Sequence, residues 1–375
     1  LEKFNLVEIP VVNTDWKIIS GNQRMSAMVI VGRGEEMIDV RYPNRPLTDR
    51  EIKEYAVIGN THAGEFDMDI LIAEFSDIIP EIKFDIPGLG DFMKKQEKEL
   101  ADQAHDDDFD VSINGIKTDI VAGDIFVIGD HRLLCGDCTK PDDMKKLMGD
   151  DVIDLVVTDP PYNVNYQGGD RTEMKKLHRR TDGLKIQNDA MSDNDFYSFL
   201  YAFYFTVNAF VKQGGGWYVW HADMETVNFR MAMKDAGILI KQNLIWVKDI
   251  MVMGRKNYHW QHEPCLYGWK DGAAHKWHSD RKQTTILNFQ RPRVSKEHPT
   301  MKPIPLIAYQ IKNSSLPGEI VADTFGGSGT TMVASEQMSR RCRMIEMDPV
   351  YCQVIVNRMM ALVPGIKITK NGVPA

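Results

Sequence analysis

Glu319-Ile320-Val321-Ala322-Asp323-Thr324-Phe325-Gly326-Gly327-Ser328-Gly329-Thr330-Thr331 is the stretch from which the rest of this chain can be read. Its first five residues read as a buried strand ending in a carboxylate, and Thr330 and Thr331 open a helix. A glycine-rich turn between strand and helix lets backbone approach a ligand, and the helix start presents unpaired N–H groups. The next strand ends at Glu346, 23 residues after Asp323. Nucleotide-binding folds place an acid for ribose hydroxyls at that spacing. The loop lacks the G-x-G-x-x-G pattern and a Walker lysine. Asp323 at its entrance would repel a pyrophosphate but could hold an ammonium, so a nucleoside carrying an amino acid fits better than a dinucleotide. Taken alone, the pattern also fits an ordinary turn with cap glycines.

A second strand ends in a carboxylate at Asp151-Val-Ile-Asp-Leu-Val-Val-Thr-Asp159-Pro160-Pro161-Tyr162. Two prolines after a strand fix φ and remove two amide donors, leaving rigid carbonyls. Such a site suits an exocyclic amine, which can give one hydrogen to Asp159 and one to a proline carbonyl. Tyr162 offers a face on which a flat base can stack. The plainer alternative is a Pro-Pro turn with Tyr162 as a core anchor.

Around these stretches, short apolar runs alternate with longer amphipathic ones. Strands are expected at Ile153–Thr158, Gly216–Trp220, Leu239–Val247, Cys265–Trp269, Glu319–Ala322 and Arg343–Ile345. Helices are expected at Asp193–Val211, Met224–Ala236, Pro303–Asn313, Thr330–Met338 and Pro349–Leu362. The alternation predicts an α/β fold, a doubly wound and mostly parallel sheet with ligands at the carboxyl ends of its strands.

The chain has 375 residues, 45 Lys+Arg against 53 Asp+Glu, and a net charge of −8. That length suggests two domains, and the charge is unevenly shared. Residues 1–110 carry a net of −12, and residues 111–375 a net of +4. The break is a charged, weakly apolar stretch after Pro87-Gly88-Leu89-Gly90, read as a linker over 91–111 with the run Asp106, Asp107 and Asp108 solvated. The domains are then 1–90 and 112–375. Five cysteines, with one C-x-x-C at Cys135 and Cys138, make neither a disulfide framework nor a zinc site, so no metal is expected. No run is long and apolar enough for a membrane span, and no export signal is visible, so a cytoplasmic location is expected.

The second half resembles the S-adenosylmethionine (SAM)-dependent amino-methyltransferases of DNA. The resemblance rests on Thr158-Asp-Pro-Pro-Tyr-Asn163, Asp323-Thr-Phe-Gly-Gly-Ser-Gly-Thr330, His298-Pro-Thr-Met-Lys-Pro303 and the Gly136-Asp137-Cys138 turn. Asp-Pro-Pro-Tyr precedes the glycine loop, the permuted order of the β class, with a Rossmann-like methyltransferase fold implied over about residues 117–362. The resemblance implies SAM as cofactor, held by Asp137, Thr300, Lys302, Asp323, Phe325, Gly326, Gly327, Ser328, Gly329, Thr330 and Glu346. It implies catalysis by Asp159, Pro160, Pro161 and Tyr162 on a base flipped out of double-stranded DNA. Aspartate at the head of the motif favours the N6 amine of adenine, with serine commoner for the N4 amine of cytosine. Many relatives have proline where this chain has Thr324.

DNA needs a basic track. Arg171, Lys175, Lys176, Arg179 and Arg180 lie in an insertion after the catalytic loop. Arg281, Lys282, Arg291, Arg293 and Lys296 form a stretch with no acid between them. Target recognition is expected between 248 and 297. In the N-terminal half, Gly21-Asn-Gln-Arg-Met-Ser-Ala-Met28, Leu47-Thr-Asp-Arg-Glu-Ile-Lys53 and Asn60-Thr-His-Ala-Gly-Glu-Phe-Asp67 resemble ParB/sulfiredoxin-like domains, which often precede such methyltransferases in phages and mobile elements. That resemblance implies a smaller α+β domain. Arg24 takes the place of a nucleotide-binding arginine, but the net of −12 disfavours phosphates, leaving a structural or interaction role with protein or DNA. Relatives of this class often dimerise, so a homodimer is a further expectation.

Overall fold

The structure, a computed structural model, describes residues 9–60, 89, 104–107, 109, 111, 113, 115–164, 190–252, 257–291 and 301–375. The chain divides into two compact units, Leu1–Lys95 and Gln96–Ala375. In the first, β1 (Val11–Val12) and β2 (Ile18–Ser20) pair antiparallel and lead into α1 (Asn22–Ile30) and then α2 (Asp49–Asn60). Gly21 enters α1 at φ 104°, a conformation that costs a side chain strain, and Pro10 packs where its Cβ would stand. At α2, Thr48 and Glu51 form a reciprocal capping box: Glu51 N–H donates to the Thr48 hydroxyl at 3.3 Å, and Thr48 N–H to Glu51 Oε2 at 3.0 Å.

Among the described residues, the second unit is built on one eleven-stranded sheet. Its strands are β3 (Ile125–Ile128), β4 (His131–Cys135), β5 (Ile153–Thr158), β6 (Val211–Trp220), β7 (Ile238–Val252), β8 (Trp260–Lys270), β9 (Ile286–Asn288), β10 (Ile320–Asp323), β11 (Arg341–Glu346), β12 (Ile368–Lys370) and β13 (Val373–Pro374). The order across the sheet is β13-β12-β3-β4-β11-β10-β5-β6-β8-β7-β9. The five strands from β4 to β6 run parallel. The flanks are antiparallel except where β9 joins β7. The sheet is therefore mixed, not mostly parallel as expected. The reason is connection length: Gly129 and Asp130 alone separate β3 from β4, and a parallel crossover needs a dozen residues or more.

Among the described residues, six α-helices cover this sheet: α3 (Pro141–Met148), α4 (Asp193–Asn208), α5 (Thr226–Asp235), α6 (Ile304–Ser314), α7 (Thr330–Gln337) and α8 (Pro349–Leu362). Side chains α3–α5 bury pack with Val156, Trp217 and Ala322, whereas those of α6–α8 pack with Leu155, Tyr218 and Val321. Neighbouring residues of one strand thus serve opposite faces, the period of two that doubles the core. Strands buried on both faces are mainly apolar, and β5 and β10 read as nearly continuous runs, with Asp154 as the buried exception within β5 and Asp323 at the end of β10. α4 and α8 start on Ser192 and Asp348, whose side chains accept from Asp195 N and Val350 N, and Pro349 occupies the first turn of α8 where no donor is needed.

β10 connects through α7 to β11 on one side, and β5 through α4 to β6 on the other. The crevice between the carboxyl ends of β5 and β10 is thus a topological switch point, where open α/β sheets bind ligands. Both carboxylate-ended stretches of sequence terminate there.

The expected linker is corrected in part. Asp106 accepts a hydrogen bond from Ile304 N–H at 2.7 Å, so it caps α6 rather than facing solvent. Asp107 grips Arg358, which is 1% exposed, by two hydrogen bonds of 2.6 Å, and Ala104 and Val111 are buried. These residues complete the second unit because Arg358 would otherwise bury an unpaired cation. Asp108 lies outside the described residues. Among them, no helix is long and apolar enough to cross a membrane, and no cluster of His, Cys, Asp and Glu could hold a metal. Asp107→Ala is expected to destabilise the second unit by about 3–5 kcal/mol, the cost of orphaning a buried ion-pair partner, measured by urea unfolding.

Candidate functional site

The carboxyl ends of five neighbouring parallel strands carry the site in a row. Asp137 follows β4, Glu346 ends β11, Asp323 ends β10, Asp159 follows β5 and Trp220 ends β6. Residues from opposite ends of the chain become neighbours through strand pairing alone.

Asp323 is 5% exposed and its oxygens are spoken for. The Thr158 hydroxyl donates to Oδ1 at 2.9 Å, Phe325 N–H to the same oxygen at 3.1 Å, and the Thr331 hydroxyl to Oδ2 at 2.6 Å. Thr324, the departure from the expected proline, is useful here: its N–H donates to the Thr158 hydroxyl at 3.4 Å, and its own hydroxyl lies at the same distance from that oxygen. Proline would remove both contacts.

The glycine loop bends onto β11. Gly326 N–H donates to the Ile345 carbonyl at 2.9 Å and Gly327 N–H to Glu346 Oε2 at 2.7 Å. Glu346 Oε1 accepts from Asp348 N at 2.8 Å. Gly326 is required by space, since a Cβ would come within 2.8 Å of the Met344 side chain. Gly329 sits at φ 85° and starts α7. Phe325 turns to α4, where its ring meets Phe203 edge-on at 5.0 Å and Phe199 at 6.0 Å.

Burial pushes the Asp323 carboxyl up to about 7 against its three hydrogen bonds, with Asp159 adding to the rise. It likewise pushes Glu346 up to about 7, against the Asp348 and Gly327 amides. Two desolvated acids at adjacent strand ends suit a cationic ligand that also brings hydroxyl donors.

Asp159 is reached from two sides. The Tyr162 hydroxyl donates to Oδ1, and the Lys302 ammonium to Oδ2 at 2.5 Å. Lys302, 5% exposed, also donates to the Tyr162 oxygen at 3.1 Å and pairs with Glu263 at 3.1 Å. Burial raises the Asp159 carboxyl above its ordinary range, with Lys302 opposing the rise. Pro160 is buried, and Pro161 and Tyr162 are half-buried. Asn163, at φ 56°, holds the loop in place: its amide donates to the Met191 carbonyl at 3.2 Å, and Met191 N–H donates back at 2.6 Å.

The expected residues fall into four groups. Asp159, Pro160, Pro161, Tyr162, Asp323, Phe325, Gly326, Gly327, Gly329 and Glu346 meet at the switch point. Asp137 joins them through the turn, because Gly136 N–H donates to the Glu346 carbonyl at 3.0 Å. Its own carboxylate accepts from Thr139 N and hydroxyl at 3.0 and 2.7 Å, the contacts of a turn cap. Other residues have partners the motifs did not suggest. Lys302, expected over the cofactor, pairs with Asp159. The Ser328 carbonyl and Thr330 hydroxyl accept from Arg358 at 2.9 and 3.4 Å. Arg291, expected on DNA, lies 3.5 Å from Asp249 and donates to the Ile250 carbonyl, both on β7. Arg281 and Lys282 are exposed. Thr300, Arg171, Lys175, Lys176, Arg179, Arg180, Arg293 and Lys296 lie outside the described residues. Sequence reading missed Thr158, Thr331, Asn163 and Glu263; the threonines and Asn163 stand inside or beside the quoted motifs, while Glu263 carries no local signal.

A family model described as "DNA methylase", covering N6 and N4 enzymes, matches residues 153–357. The chain is 25% identical over 250 residues to DNA adenine methyltransferase YhdJ of Escherichia coli, covering 58% of this chain and 79% of that protein. It is 23% identical over 253 residues to the type II methyltransferase M.HpaI of Haemophilus parainfluenzae, covering 61% and 74%. Among solved structures, the M1.HpyAVI–SAM complex is similar at 19% identity and a TM-score of 0.45, covering 60% of this chain and 98% of that one. Gly326→Ala is expected to lower stability by about 1–3 kcal/mol, the usual cost of overpacking, seen as a lower urea midpoint.

Proposed function

The chain belongs to the N6/N4 DNA methylase family, and on that premise we propose that it transfers the methyl group of SAM to the N6 amine of an adenine flipped out of double-stranded DNA. The observation that carries the reading is the row of acids across one switch point, with Asp159 beside Asp323. Asp323 and Glu346 suit the charge and hydroxyls of SAM, and the Gly326–Gly329 turn gives backbone access. Bound there, SAM supplies an activated methyl group.

The rest is the work of this chain's side chains. Asp159 accepts one hydrogen of the target amine and the Pro160 carbonyl the other, which exposes the nitrogen lone pair. Each carboxylate oxygen retains lone-pair capacity beside its Tyr162 or Lys302 partner. Tyr162 offers its ring to the base. As positive charge develops on the amine, Asp159 stabilises it and takes the proton. Holding nitrogen and methyl in line supplies the remaining rate. Aspartate rather than serine at this position supports adenine, as does the similarity to the DNA adenine methyltransferase YhdJ.

Arg281 and Lys282 are proposed to meet phosphates, together with the basic residues of 171–180 and 293–296. For the acidic N-terminal unit, its ParB-like motifs and charge support an interaction role. The setting proposed is the cytoplasm of a bacterium or phage-infected cell.

Incubation with labelled SAM and unmethylated DNA, followed by nucleoside analysis, is expected to yield N6-methyladenine. N4-methylcytosine would move the target to cytosine, and no incorporation would overturn the reading. Asp159→Asn is expected to slow transfer at least about 10²-fold while the calorimetric affinity for SAM stays near wild type.

The acids also set a pH dependence. Carboxyls raised to about 7 are protonated below that pH, and a cationic ligand prefers them ionised. SAM affinity is therefore expected to fall by roughly tenfold or more from pH 8 to pH 6, by calorimetry. The unliganded fold has the opposite trend from these two groups. Their raised folded values stabilise it below about pH 4 to 4.5, and this contribution is lost as pH rises through 7.

A further inference from the structure

The cation on the catalytic carboxylate is itself held by a second acid, Glu263 on β8, which belongs to none of the recognised motifs. The Lys302 ammonium donates to Asp159 Oδ2 at 2.5 Å and to Tyr162 Oη at 3.1 Å, and it forms an ion pair with Glu263 Oε2 at 3.1 Å. The rings of Trp220 and Tyr162 flank the ammonium at 5.3 and 5.6 Å. Behind Glu263 stands Lys248, 6% exposed, whose ammonium bonds Glu263 Oε1. Two acids and two cations thus alternate as Asp159, Lys302, Glu263 and Lys248; the two lysines are buried, Glu263 is 14% exposed and Asp159, at the mouth of the row, 32%.

Alternation has a chemical consequence. With Asp159 as its sole partner, the Lys302 ammonium would bear wholly on the carboxylate that must accept the target amine. Glu263 divides the ammonium between two acids, and Lys248 balances the charge Glu263 adds. We propose that Glu263 is a positioning residue for methyl transfer, acting through Lys302 to fix where the Asp159 carboxylate sits and how strongly its charge is neutralised. The proposal rests on the methyltransferase reading and extends it beyond the motif residues. It also accounts for a buried carboxylate on the antiparallel flank of a sheet whose other site residues come from the parallel centre.

The charged and titratable groups facing Asp159 are Lys302, Tyr162, Glu263, Asp323 and Cys265, with Lys248 one step behind. Lys302 favours the ionised carboxylate and Glu263 disfavours it. Their removal must therefore move the titration of Asp159 in opposite directions, which a loss of packing would not do.

The test measures kcat of the full chain on unmethylated DNA across about pH 5 to 9, at saturating SAM so that the cofactor acids do not shape the profile. Glu263→Gln is expected to lower kcat roughly 10²-fold, the scale of a small misplacement at a reacting centre. Its acid limb should move to lower pH, and its SAM affinity should stay near wild type. Lys302→Met should move the acid limb to higher pH. Glu263→Asp, which keeps the charge and shortens the reach, should lose less kcat than Glu263→Gln and leave the limb in place. A Glu263→Gln profile that matches active wild type overturns the proposal alone, as do limbs that shift in the same direction. A wild-type chain that labels no DNA overturns the methyltransferase reading, and the proposal falls with it.

Discussion

The Thr158 hydroxyl bonded to Asp323 joins the ends of β5 and β10, and the rest of the site depends on that junction. The two strands align over only two residue pairs, Val321 with Leu155 and Ala322 with Val156. Side chains extend the pairing at both ends: Asp154 accepts Ile320 N–H at 3.0 Å at the start, and Thr158 grips Asp323 at the finish. Because the chain departs from these strands in opposite directions, their carboxyl ends open into the crevice that holds both acids. A slip of one residue would turn each side chain to the other face of the sheet and separate them.

The crevice concentrates negative charge in a buried setting, and the protein treats its two ends differently. At Asp323 and Glu346 only neutral donors, hydroxyls and amides, meet the carboxylates, so burial dominates and both rise to about 7. At Asp159 the protein supplies its own cation, and the opposition of Lys302 to burial is part of the resting state. The first end thus suits a ligand that brings positive charge, and the second a neutral amine on which charge develops later. A uniform line of acids becomes two chemically distinct subsites through the identity of one neighbouring side chain.

The net charge of −8 misleads in the same way that any average over distinct units does. The acidic excess belongs to residues 1–110, and part of the run at its end serves the second unit as structure. Asp107 counters the buried Arg358, which also reaches the glycine loop through the Ser328 carbonyl. Composition reads such a run as solvated, because nothing local reveals a partner 251 residues away.

Local chemistry alone determined four of the five strands of the parallel core, the helices α4 and α7 between them and the two loops that carry acids, while β4 and α3 gave no signal that was read. Apolar runs of strand length, proline pairs and glycine turns constrain the backbone within a few residues, so β5 appears with the limits expected for it and the glycine loop at its place before α7. Tertiary structure decided what depends on distant pairing. It set the mixed order of the sheet, where two-residue turns forbid crossovers, and the docking of Asp106 and Asp107. It also brought Lys302 to Asp159, Glu263 to Lys302 and Arg291 to Asp249. Each of these is a charge or a hydrogen-bond donor whose meaning lies in its partner, and the partner is chosen by the fold.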